Sequence, residues 1–165
     1  MTPKLTPYGL DSLQRGLQQA PATAKAELLA AATEAVMLLE SDVVGTFPHH
    51  TGVSRASIAG DAFSTPAGVL GLVGSSNPVV AFVELGTKPH TPPIEPLLQW
   101  VGDVLGLSGD EAFAAARGIQ RKIRARGTPA RKVFEQSLVR NLPRISGIFE
   151  AAGGRVAAAL EKGAR

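Results

Sequence analysis

The stretch from Val79 to Ile94, VVAFVELGTKPHTPPI, constrains this chain more than any other, because an apolar segment runs directly into a glycine and three prolines. Val79, Val80, Ala81, Phe82 and Val83 have the β-branched and aromatic content of a buried strand. Gly86, Pro89, Pro92 and Pro93 exclude regular structure immediately afterwards. A strand with a stiff, projecting exit is therefore expected. A rigid loop without a catalytic signature suits contact with another protein better than chemistry.

The rest of the chain is read around that segment. From Pro21 to about Thr46 an apolar stripe of Leu28, Ala32, Val36 or Ala35, Leu39 and Val43 predicts a long helix, with Lys25, Glu27, Glu34, Glu40 and Asp42 largely off the stripe. Alanine fills much of the remainder, which favours helix and allows a neighbour to approach closely. Leu10, Leu13 and Leu17 repeat at helical spacing before it, and Phe47-Pro48 closes it. Between Thr51 and Leu85 the period changes. Apolar runs Ala56 to Phe63, Val69 to Val73 and Val79 to Leu85 are separated by turn signals at Thr65-Pro66-Ala67-Gly68 and Ser75-Ser76-Asn77-Pro78, which predicts a three-stranded antiparallel meander. So small a sheet cannot stand alone, and the long helix is expected to cover one face.

Helix returns in the last third. Leu97, Val101 and Val104 or Leu105 line one segment that stops at Gly106. Ser108-Gly109-Asp110-Glu111 then reads as a cap with acids in the first turn, opening a second amphipathic helix through Phe113, Ala116, Ile119 and Ile123 to about Gly127. A last helix carries Phe134, Leu138 and Leu142, and Pro143 and Gly153-Gly154 are expected to break or kink it. The fold class is α+β: a long N-terminal helix packed on a small antiparallel sheet, followed by C-terminal helices. Residues 1–142 are read as one domain and 143–165 as a helical extension.

Composition removes several function classes. The 165 residues contain no cysteine, which excludes disulfides, thiolate metal sites and cysteine nucleophiles. No apolar run approaches the roughly 20 residues of a membrane span, and the N-terminus MTPKLTPYGLD lacks a signal-peptide core, so synthesis in the cytoplasm without membrane association is expected. The histidines His49, His50 and His90 match no metal spacing. No G-x-S-x-G elbow, P-loop or G-x-G-x-x-G occurs, and neither an enzyme nor a cofactor is expected.

Charge is unevenly placed. Residues 1–90 hold five Lys/Arg and seven Asp/Glu, residues 91–165 twelve and seven. The excess gathers in Arg117, Arg121, Lys122, Arg124, Arg126, Arg131 and Lys132, with no acid from Ala112 to Phe134. Such a patch suits nucleic acid or an acidic protein surface, or is simply a solvated helix face. An aromatic content of 5% and the lack of a reading module argue against sequence-specific recognition.

Three motifs occur in order: Thr51-Gly52-Val53-Ser54-Arg55-Ala56-Ser57-Ile58 after the long helix, Val83-Glu84-Leu85-Gly86-Thr87-Lys88-Pro89-His90, and Ile119-Gln120-Arg121-Lys122-Ile123 followed by Gly127-Thr128-Pro129-Ala130. The set, covering roughly residues 10 to 140, resembles the tail-completion or minor tail proteins of long-tailed bacteriophages. The resemblance implies a virion structural protein, made in the host cytoplasm and located in the neck. There it would form a homo-oligomeric ring, sixfold as tail architecture leads one to expect, between the head connector or stopper and the tail terminator or tail tube. A tail terminator ring is the nearest variant. A small non-specific DNA-binding protein using residues 117–132 is the alternative from another class. On the ring reading Glu84, Gly86, Thr87, Lys88, Pro89, His90, Pro92 and Pro93 make an inter-subunit or inter-ring contact, and the basic patch meets a neck protein or passing genomic DNA.

Overall fold

The structure, a computed structural model, describes residues 22–48 and 52–163. The expected helix at Leu10, Leu13 and Leu17 and the residues His49, His50 and Thr51 lie outside them. The element order is α1 (Ala22–Thr46), α2 (Val53–Ala56), β1 (Ile58–Thr65), β2 (Gly68–Ser75), α3 (Pro78–Leu85), α4 (Ile94–Leu105), α5 (Gly109–Arg126) and α6 (Val133–Gly163). β1 and β2 form a two-stranded antiparallel sheet, so the class is α+β, as expected. The described residues fall into two compact units, one of residues 22–42, 59–74 and 137–163, the other of 43–48, 52–58 and 75–136. Residues 143–163 thus group with most of α1 and with the hairpin.

In the first unit the alanine stripe of α1 does what its small side chains allow. Ala24, Leu28, Ala31, Ala32, Ala35 and Val36 are buried, and Leu28 and Ala31 pack against Ala152 of α6 with Val69, Ile148 and Phe149 around them. The hairpin lies against the same helix through its glycines. A Cβ at Gly71 would stand 2.6 Å from Cγ2 of Val36, and one at Gly60 would collide with Cγ1 of Val36 and lie 3.2 Å from the Leu72 carbonyl. No side chain larger than hydrogen fits there without displacing β-branched Val36, whose single helical rotamer gives it little room to yield.

Polar groups join α1 to α6 in this unit. The Asp42 carboxylate accepts from Nη2 of Arg140 at 2.7 Å and from Nδ2 of Asn141 at 3.0 Å, and Arg140 also donates to Oγ of the fully buried Ser137 at 3.0 Å. Asn141, itself buried, donates further to the Ser137 carbonyl. Desolvation alone would raise the Asp42 pKa, but the hydrogen bonds from Arg140, Ser137 and Asn141 and the Arg140 charge together hold it below the ordinary carboxylate value. Nearer the helix ends Arg155 pairs with Glu27 at 2.6 Å.

In the second unit Phe47 is buried and meets Phe134 edge to face, with centroids 6.5 Å apart and planes at 76°. Val101 of α4 packs on Ala112 and Ala116 of α5, with Leu97, Leu98 and Ile119 beside them. Both helices follow the expected boundaries, and the αL glycine Gly106 ends α4.

Two expectations are corrected. The segment Val79 to Val83 is helix α3, not a strand, so the sheet has two strands instead of three. The reason lies just upstream. The Asn77 side chain accepts from the Val79 amide at 3.0 Å, and Pro78 occupies the first helical position with its φ already helical. A good cap and a favoured N1 proline outweigh the modest strand preference of three valines. The second correction concerns the expected break in α6, which runs from Val133 to Gly163 through Pro143, Gly153 and Gly154 as one helix. Pro143 deprives the carbonyl four residues earlier of its partner, but that residue, Val139, is 67% exposed, so water can serve it.

Two outcomes follow from these contacts. Gly60→Ala is expected to lower stability by roughly 1–3 kcal/mol in urea denaturation, with much of the loss recovered in Gly60→Ala/Val36→Ala. The Asp42 contribution is complete above the unfolded carboxylate pKa of about 3.9 and is lost as pH falls through the lower folded value. Asp42→Asn should therefore cost about 1 kcal/mol at neutral pH, and its gap from wild type should close in acid. A gap unchanged down to about pH 2 would show that the carboxylate's charge plays no part.

Candidate functional site

The two glycine-threonine motifs that stand 41 residues apart in sequence are halves of one joint in the second unit. Thr87 and Thr128 form an isolated antiparallel bridge, Thr87 N–H donating to Thr128 O at 3.0 Å and Thr128 N–H to Thr87 O at 3.2 Å. Their hydroxyls lie 2.9 Å apart. The flanking glycines permit the approach. Gly86 and Gly127 have φ of 72° and 69°, and a Cβ on Gly86 would come 2.5 Å from the Thr128 carbonyl while one on Gly127 would overlap the Thr87 carbonyl. Each position thus requires glycine twice over, for its φ and for space.

The pairing continues beyond the bridge. Arg131 N–H donates to Val83 O at 2.9 Å and Lys132 N–H to Glu84 O at 3.2 Å. The Glu84 carboxylate then accepts from the amides of Phe134 at 3.0 Å and Glu135 at 3.2 Å. These are first-turn N–H groups of α6 that have no partner within the helix, so Glu84 caps α6 from across the joint and sets a negative charge at the positive end of its dipole.

The residues expected to make an outside contact therefore divide. Glu84, Gly86 and Thr87 are half-buried and spent on the joint. Lys88, Pro89, His90 and Pro93 are exposed. Nδ1 of His90 donates to the Lys88 carbonyl at 2.9 Å, which curls the loop on itself. The Pro92 carbonyl accepts from Nε2 of Gln120 at 2.9 Å, tying the end of the loop to α5. The free reach of the loop is residues 88–91, a short arch held at both feet.

The same Gln120 bond sets the arch beside the basic helix. Arg117, Arg121, Lys122, Arg124, Arg126, Arg131 and Lys132 are all exposed. Arg117 lies over the Phe113 ring at 5.4 Å, and Lys132 pairs with Glu135 at 2.9 Å. Among the described residues Arg121, Lys122, Arg124 and Arg126 have no carboxylate within ion-pair distance. Arg117, Arg121 and Arg124 share one face, and Lys122 and Arg126 the adjacent one. This is a cationic strip roughly 14 Å long.

A feature not foreseen lies on α3. Val79, Phe82 and Leu85 recur every three residues and are 48%, 57% and 77% exposed, while Val80 alone is buried. The sequence signal was present in the uniform hydrophobicity of the segment, which a strand reading assigns to the core. Among the described residues no group of three His, Asp or Glu is placed to hold a metal ion. No helix there is long and apolar enough to cross a membrane. Compared with known proteins, the chain matches no family model, no curated protein and no solved structure.

The division of the loop is open to measurement. Glu84→Ala should lower the urea midpoint by the equivalent of about 1 kcal/mol, whereas Lys88→Ala and His90→Ala should leave it within about 0.5 kcal/mol of wild type. A large loss at Lys88 or His90 would mean that the arch, too, is part of the core joint.

Proposed function

We propose that this chain is a structural subunit of the neck of a long-tailed bacteriophage, assembling as a ring that joins the head connector to the tail. The reading is supported chiefly by the ordered motif set, whose second and third members meet in the Gly86-Thr87 and Gly127-Thr128 joint. In this reading the joint is scaffolding and the arch 88–91 is the grip, offered to a neighbouring subunit or to the next ring. Pro89 within it and Pro92 and Pro93 at its foot reduce the ordering cost of binding. The basic strip of α5, beside the arch, faces an acidic neck protein or the DNA that passes through.

A tail terminator ring would use the same parts. The alternative of a small non-specific DNA-binding protein rests on one observation, the four cations of α5 without a carboxylate partner. The two are separable. For the neck protein, Pro89→Gly/Pro92→Gly/Pro93→Gly should leave the circular dichroism spectrum unchanged and reduce the yield of tailed, filled particles. A wild-type yield counted by electron microscopy would overturn the role given to the arch. For the DNA-binding protein, duplex retention at moderate salt should fall on reversing Arg121, Lys122 and Arg124. The salt slope should shrink by about 3, since each lost phosphate contact removes about 0.9.

A further inference from the structure

Strand β2 has a property none of the other elements shares: Gly68-Val69-Leu70-Gly71-Leu72-Val73-Gly74 reads the same in both directions. Its ladder with β1 is fixed by three observations. The strands are eight residues each, joined only by Pro66 and Ala67. Gly60 and Gly71 both turn toward Val36. The amides of Gly60 and Ala62 bond the carboxylates of Glu40 and Asp61, each at 2.8 Å, and so point away from β2. Thr65 therefore lies opposite Gly68 and Phe63 opposite Leu70, and the ladder bonds belong to odd-numbered residues of β1 and even-numbered residues of β2.

The two outer edges then differ. That of β1 is partly closed by the two carboxylates. That of β2 presents the N–H and C=O groups of Val69, Gly71 and Val73, and among the described residues no side chain and no backbone group outside the ladder bonds to these amides. Gly71, which has only backbone to expose, is exposed. β2 carries no charge and no proline, the common devices that keep an edge from pairing. On the face turned away from Val36, Phe63, Leu70 and Leu72 are 40%, 43% and 54% exposed.

We propose that β2 pairs antiparallel with β2 of a second copy, across a two-fold axis at Gly71, to form a four-stranded sheet. The palindrome makes the strand complementary to itself: valine meets valine, leucine meets leucine, and glycine meets glycine at the axis. The free groups of Val69, Gly71 and Val73 then complete a second ladder. Leu70 and Leu72 of both copies gather on the outer face with the two Phe63 rings. Charge favours this surface for self-contact, since the hairpin holds a single carboxylate, Asp61, whereas the strip on α5 would repel its copy. An isologous contact closes at two copies and cannot extend a ring. The pairing is therefore additional to any ring contact and does not rest on the neck reading.

The absence of cysteine makes engineered thiols clean reporters. Positions 70 and 72 of opposite copies would form a non-hydrogen-bonded pair with Cα atoms about 4.5 Å apart, within disulfide range. In the full-length protein, an equimolar mixture of Leu70→Cys and Leu72→Cys should form a disulfide-linked dimer several-fold faster than either variant alone. By sedimentation the wild type should have twice the 17.1 kDa chain mass. Leu70→Lys/Leu72→Lys should fall to the single mass with an unchanged circular dichroism spectrum. Mixing it with Leu70→Glu/Leu72→Glu should restore the dimer. A wild type of single mass, or a mixture that cross-links no faster than its components, overturns the pairing.

Discussion

The carbonyl of Thr87 lies so close to Gly127, and that of Thr128 to Gly86, that the joint between them tolerates no side chain at either glycine. This near-contact of two backbones organises the second unit. It fixes the bridge at Thr87 and Thr128 and aligns Arg131 and Lys132 with Val83 and Glu84. It also brings the Glu84 carboxylate to the first turn of α6. The loop leaves the joint with its entry fixed by the bridge and its exit fixed by Gln120, which is why prolines fit there. The backbone between two anchored feet has little freedom left to lose.

The long helices α1 and α5 are legible from residue spacing and helix propensity. The stripe of α1 and the amphipathic α5 appear where side-chain spacing puts them, because in each case burial and local propensity agree, although Ser108 at the start of α5 makes no side-chain capping bond. α3 was not legible in the same way. Its valines argue for a strand, and only the Asn77-Pro78 pair, which also reads as a turn, argues for a helix start. In eight residues the cap decides. α6 shows the opposite case, where a breaker residue lies inside a continuous helix: the cost of Pro143 depends on whether the carbonyl it orphans is wet, and that is set by packing in three dimensions.

The residues of the paired motifs divide by the same logic. Glycine, threonine and glutamate in the two paired motifs look like contact residues when read along the chain, since nothing local explains them. Their explanation is a partner 41 residues away, and only three-dimensional pairing shows that they are spent on structure. What stays open to solvent is the exposed remainder, the arch 88–91 and the cations of α5, and the exposed stripe of α3 that hydrophobicity alone assigns to a core. The discontinuous make-up of the two units was hidden for a related reason: the hairpin and the far end of the chain group with α1 through glycine-alanine fits that leave little trace in a hydrophobic pattern.

Glu84 sits in the last turn of α3, where the helix dipole disfavours a negative charge, and is nonetheless the cap of α6. One side chain thus makes the end of an eight-residue helix and the start of a 31-residue helix interdependent. Unwinding the last turn of α3 would withdraw the acceptor from the amides of Phe134 and Glu135. The slowest exchange these amides can show is then set by the opening of α3, the weaker element, so the beginning of the longest helix in the chain inherits the lifetime of one of the shortest.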